Sequence, residues 1–243
     1  AARERQYASF ELLTRSLGYA LLPSALILLQ PDLGTPVLLV FVWGVICFVY
    51  GARVQHLAAF AFAFVMLFVA AWGFGLIRSH QKERLTAFIR TDAAAQDQRW
   101  QLEQSLIAIG SGHVTGQGLF RGSQSQLSFV PDQETDFIFS IIGEELGFVG
   151  AVVVLALFGV VLWRGLLISA NARTLFGRLM AGGIVAMYFF NITVNVGMTL
   201  GLMPVKGLPL PFVSYGGSAM LVNFVGLGIL QAIHIDRQSM RFD

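Results

Sequence analysis

Three carboxylates stand at or inside a stretch of sequence that is otherwise apolar. Asp136 ends the polar run that begins at Pro131, and the residues that follow, FIFSIIGEELGFVG from Phe137 to Gly150, read as a hydrophobic helix whose charges are Glu144 and Glu145. At ~1.5 Å of rise per residue, the two glutamates lie roughly 12 Å beyond Asp136 along the axis. Acids at such depth are expensive in hydrocarbon and are kept for pairing, packing or chemistry. At 100° per residue, Asp136, Ser140, Gly143, Glu144, Gly147 and Ala151 share one stripe, while Glu145 points the other way. Two accounts fit Asp136. It caps the helix while the glycines let neighbours pack closely, or it is a general base at the boundary of water and lipid, within reach of a substrate hydroxyl.

A second constellation is MPVKGLPLPFVSYGGSAM, residues 203–220. Pro204, Pro209 and Pro211 stiffen it, and Ser214, Gly216, Gly217 and Ser218 precede another apolar run. Backbone N–H groups before a helix can cradle an anion, and Lys206 adds positive charge. A tightly packed re-entrant turn fits the same spacing. Asp32, in QPDLGT, is either an acid at a membrane-depth turn or the partner of its own backbone in an Asx-turn. Arg78, Lys82, Arg84, Arg90, Arg99 and Arg121 offer a grip on pyrophosphate, or rest in solvent and on lipid phosphates. Asn191 and Asn195, four residues apart, read as interhelical hydrogen-bonding residues.

Several chemistries lack support. The four histidines are dispersed, without HExxH or CxxC, so a closed metal cage is not expected. There is no P-loop and no G-x-S-x-G. GSGHVTGQG, residues 110–118, misses the spacing of a dinucleotide fingerprint and follows no strand. Cys47 is alone and cannot form an internal disulfide.

The elements that must carry these residues are membrane spans. Of 243 residues, 56% are hydrophobic and 12% charged, and the mean hydropathy is +0.69, values of a polytopic all-α membrane protein. A net charge of +2 gives nucleic-acid binding little support. Six segments are expected to span: Ser16 to Leu29, Pro36 to Tyr50, Leu57 to Ile77, Phe137 to Trp163, Leu179 to Leu202 and Ser218 to Ile235. The first two are short, and Pro23 with the break from Gln30 to Pro36 predicts a tight hairpin. A cytoplasmic N-terminus puts the arginines of the short connections inside and leaves Lys206 in the outer ones, so both ends of the chain fall in the cytoplasm. Residues 78–135 then form one long extracellular loop, with an interfacial helix from Trp100 to Ile109. The whole of 1–243 reads as a single integral membrane domain. Its opening, AARERQYASFELLTR, does not resemble a signal peptide and is expected to continue a longer chain.

IAIGSGHVTGQG, RGSQSQLSFVPDQETDFIFSIIGEELGFVG, QPDLGT and PLPFVSYGGSAM together resemble the SEDS family of bacterial membrane proteins (shape, elongation, division and sporulation), from about Leu28 to His234. The Ser123 to Gln126 version of the loop resembles the elongation branch more than the division branch. The resemblance implies a ten-helix fold of which this chain supplies the last six spans; the family's E-x-x-K element is not found here. It implies a peptidoglycan glycosyltransferase that polymerises lipid II at the outer face of the bacterial plasma membrane, extending an undecaprenyl-linked glycan for cell elongation and rod shape. It further implies a class B penicillin-binding protein as transpeptidase partner, activity that responds to a divalent cation (Mg or Mn), and no organic cofactor. Asp136 matches the family's essential acid. Asp32, Arg121, Gln126, Glu144, Glu145, Lys206, Ser214, Gly216 and Gly217 are the candidates for substrate binding. The expected chemistry is inverting: Asp136 takes the acceptor hydroxyl's proton and pyrophosphate departs. A flippase for lipid-linked precursors is the alternative, and a non-enzymatic scaffold for a partner synthase a third reading.

Overall fold

The computed structural model describes residues 10–30, 34–75, 96–123, 134–204 and 207–238. Asp32, Gln126, Lys206 and much of the 78–135 loop lie outside these. Within them the regular structure is helical, as lipid demands of a chain that must satisfy its own backbone groups. In order the helices are α1 (Phe10–Leu28), α2 (Gly34–Tyr50), α3 (Val54–Gly73), α4 (Gln96–Ser111), α5 (Ile138–Ala170), α6 (Leu175–Thr199) and α7 (Gly217–Gln238). The protein is an all-α, multi-pass membrane protein. The helices α5, α6 and α7 are each long and apolar enough to cross a bilayer, while α2 and α3 are shorter apolar helices. The helix expected from Trp100 to Ile109 is α4, a little longer at both ends.

Two expectations change. First, α1 already covers Phe10, ahead of the expected Ser16, and carries Pro23 inside it as the expected span did. Packing against α2 sustains it, with Trp43 Nε1 donating to Ser16 Oγ at 3.0 Å, an instance of tertiary contact overriding the cost of an internal proline. Second, the helix expected to run unbroken from Asp136 starts at Ile138 and is interrupted at Gly147, whose φ of 66° and ψ of −166° are not helical.

The chain forms two compact units. One comprises Ala1–Gln81, Gly165–Met187 and Ile229–Asp243. Its core is Leu13, Trp43, Cys47 and Ala52, flanked by Leu17, Leu57, Phe60 and Phe64, with Phe60 edge-on to Trp43 at 5.3 Å. Small residues bring its helices together: a Cβ at Gly165 would stand 2.4 Å from Val185 Cγ2. The other unit, Lys82–Arg164 with Tyr188–Gly228, holds every described candidate site residue.

Candidate functional site

Asp136 lies in a turn ahead of α5 and is half-buried. Its carboxylate faces the backbone of Gly207, where a Cβ would lie 3.2 Å from Oδ2. Three successive carbonyls of this turn are held from outside it. Tyr215 N donates to Glu134 O at 2.8 Å, Ser214 Oγ to Thr135 O at 2.6 Å, and Asn195 Nδ2 to Asp136 O at 2.9 Å. Asn195 also donates to Leu208 O at 2.8 Å, and Ser214 Oγ accepts from Leu210 N at 2.7 Å. The 207–216 segment is thereby stitched to the Asp136 turn.

That segment is packed inward. Leu208, Leu210 and Pro211 are buried. Phe212, at a φ of 64°, wedges between Tyr188 (5.3 Å) and Phe224 (5.6 Å). Tyr188 in turn donates to Asn223 O at 2.6 Å. A left-handed phenylalanine is costly unless its surroundings over-determine it, and here two aromatic rings do so.

A second locus surrounds Gly147. In an unbroken helix Glu144 O would accept from Phe148 N and Glu145 O from Val149 N. Here Phe148 N donates to His113 O (3.0 Å) and Val149 N to Val114 O (3.1 Å), while Glu144 O accepts from Gln117 N and Glu145 O from Gly118 N, both at 3.0 Å. The glycine-rich segment thus inserts its own backbone into α5, and no group of the four pairs is left bare. Such non-helical backbone is tolerated at membrane depth only where protein covers it. Approach this close requires missing side chains: a Cβ at Gly116 would stand 2.1 Å from Glu145 O, and one at Gly147 2.3 Å from Gly116 N. Both also have positive φ. Gln117 fastens the segment to itself, donating from Nε2 to Ser111 O (3.4 Å) and accepting at Oε1 from Ser123 N (3.3 Å).

The structure thus brings Asp136, Ser214 and the 207–216 segment together. Ser214 is 1% exposed and spends its hydroxyl on main chain. Gly216 and Gly217 sit at the start of α7, Gly217 exposed. Glu144 is fully buried and accepts from Ser123 Oγ at 3.4 Å. Glu145, on the other side, is half-buried, and Arg121 is exposed. The stripe through Ser140, Gly143, Glu144 and Gly147 is buried, but it ends at the break, so Ala151 does not continue it. Asn195 joins a helix to two loops rather than to a second helix. Among the described residues no group of three or more His, Cys, Asp or Glu is placed to hold a metal ion.

Sequence reasoning missed the pairing of the glycines with α5. Its signal was present, for Gly112 and Gly116, like Gly143 and Gly147, stand four apart, the spacing of close backbone contact.

Fold and site define a class: a multi-pass helical membrane protein with a carboxylate at the head of an interrupted span. Residues 2–239 match the cell cycle protein family named for FtsW, RodA and SpoVE, and the chain belongs to that family, the SEDS family that its motifs resemble. Its curated relatives include the peptidoglycan glycosyltransferase MrdB of Escherichia coli K12, 41% identical over 219 residues that cover 90% of this chain and 59% of MrdB. Stage V sporulation protein E of Bacillus subtilis is 37% identical over 226 residues, 92% of this chain and 60% of that protein. The chain therefore spans less than two thirds of the length of either relative. Among solved structures, a chain of a peptidoglycan synthase complex that coordinates polymerization and crosslinking aligns with a TM-score of 0.73 at 32% identity, over 93% of this chain and 62% of that one. An Asp-to-Ala mutant of the Thermus thermophilus rod shape determining protein RodA aligns with a TM-score of 0.64 at 30% identity, over 96% and 60%.

Proposed function

We propose that the protein to which this chain belongs is an inverting peptidoglycan glycosyltransferase that polymerises lipid II at the outer face of the bacterial plasma membrane, with Asp136 as general base. The observation that carries the reading is the Asp136 turn. Its carboxylate is half-buried against Gly207, at the mouth of a span and beside a stiffened loop. Asp136 accepts the proton of an acceptor sugar hydroxyl, the oxygen attacks the donor's anomeric carbon from the face opposite the pyrophosphate, and the pair of the broken carbon–oxygen bond leaves with undecaprenyl pyrophosphate. One positioned base contributes ~10² to 10⁴-fold.

Departing charge is offset by cationic side chains such as Arg121 and Lys206 and by the N-terminal end of α7. A divalent cation would find no cage of carboxylates and imidazoles among the described residues and would be held chiefly by the substrate's phosphate oxygens. The kinship with MrdB, and with a complex in which polymerization and crosslinking are coordinated, supports this activity and a class B penicillin-binding protein as partner. With the site facing outward, this reading has both ends of the chain in the cytoplasm, in keeping with the arginines of the short connections.

The interruption of α5 favours one alternative, a flippase of lipid-linked precursors, since broken helices mark transporters. Reconstitution of the full-length protein with lipid II separates the two. Asp136→Asn is expected to abolish glycan strands by at least about 10²-fold while leaving insertion intact. Near-normal polymer from the variant, or transport of intact lipid II without polymer from the unmodified protein, refutes the assignment.

A further inference from the structure

We infer that Asn195 and Ser214 are positioning residues for Asp136, acting on the main chain that carries it and not on substrate. The inference rests on Asp136 being the base. Two of the three consecutive carbonyls at 134, 135 and 136 are held by these side chains, Thr135 by Ser214 and Asp136 by Asn195, and the third is held by the amide of Tyr215, the residue after Ser214. Fixing three adjacent peptide planes fixes the direction of the Asp136 Cα–Cβ bond, the base from which side-chain rotation places the carboxylate.

The burial of both residues argues against contact with substrate. Asn195 is fully buried and Ser214 1% exposed. Both amide protons of Asn195 go to carbonyls, Asp136 O and Leu208 O. Its own Oδ1 is buried and finds no donor among the described residues. An amide that leaves its oxygen bare to spend both protons on two loop carbonyls is oriented by those loops. Replacing Asn195 with an apolar residue would relieve the orphaned oxygen and remove the Asn195 bond from both carbonyls. Ser214 is likewise committed in both directions, accepting from Leu210 N and donating to Thr135 O. The two residues arrive from different elements, α6 and the 207–216 segment, so the Asp136 turn is clamped from two sides.

Misplacing a catalytic group by about 1 Å costs on the order of 10²-fold in rate, and that is the size of effect expected. The test uses the full-length protein polymerising lipid II, with kcat and KM measured separately. Ser214→Ala and Asn195→Leu are expected to lose about 10²-fold in kcat with KM unchanged. Ser214→Thr, which keeps the hydroxyl, recovers most of it. A variant that is merely less stable regains its rate when assayed well below its melting temperature, whereas a misplaced carboxylate does not. Should Asn195→Leu fail to fold, the Ser214 variants carry the test alone.

Wild-type kcat in Ser214→Ala overturns the inference. So does a deficit confined to KM, which would make these residues substrate contacts, or one that vanishes on cooling. An active Asp136→Asn would instead sink the assignment of the base. An inactive Asp136→Asn beside a fully active Ser214→Ala would sink only the positioning.

Discussion

The first half of α5 is held at both ends, and the two ends use opposite means. Ahead of it, side chains grasp main chain: Asn195 and Ser214 reach the carbonyls of Thr135 and Asp136. At Gly147 main chain grasps main chain, and what makes it possible is the absence of side chains at Gly116 and Gly147. A hold built from side chains can be loosened one atom at a time. A hold built from bare backbone tolerates nothing larger than hydrogen. Mutations at the first are therefore expected to tune rate, and mutations at the second to remove the fold.

The largest effect should come from Gly116→Ala or Gly147→Ala. Positive φ alone costs a non-glycine residue about 1–3 kcal/mol, and the added methyl would stand 2.1 Å or 2.3 Å from backbone atoms that carry the inserted segment. Loss of the monodisperse protein in detergent, or a steep fall in its melting temperature, is the expected readout; a near-native melt would break the contrast. Gln117→Ala comes next, since it removes two side-chain bonds within the inserted segment and leaves the four backbone pairs in place. A loss of about 1–2 kcal/mol in unfolding free energy is expected, with polymerisation largely retained. Gly159→Ala is the control. It sits in the unbroken part of α5 with no atom within 4 Å of an added Cβ, so stability should hold or rise by roughly 0.5–1 kcal/mol. Substantial loss there would mean that glycine matters along all of α5 rather than at its break.

Much of this was legible in the residues. Uninterrupted apolar runs gave the positions of α2, α3, α6 and α7 to within a few residues, because the periodicity and length of a span are fixed by the bilayer. Asp136 was legible because an acid at the head of an apolar run has few reasons to be there. The break was not. Gly147 shares its run with Gly143 and Gly150, and glycines in an apolar helix fit close packing of neighbours as readily as a break. What breaks the helix is a partner about 30 residues upstream, and local propensity carries no record of that partner. The roles of Ser214 and Asn195 were hidden for a related reason: residue type shows the capacity to donate, and only the folded chain shows to whom.

The seam in α5 also constrains how the protein can be made. A span that entered lipid already split would present two naked carbonyls and two naked amides, each costing several kcal/mol with no water to soften it. The economical route is for the helix to enter whole and to open only once the upstream segment, synthesised earlier, settles against it. The finished molecule would then keep, at Gly147, the mark of a joint closed after insertion.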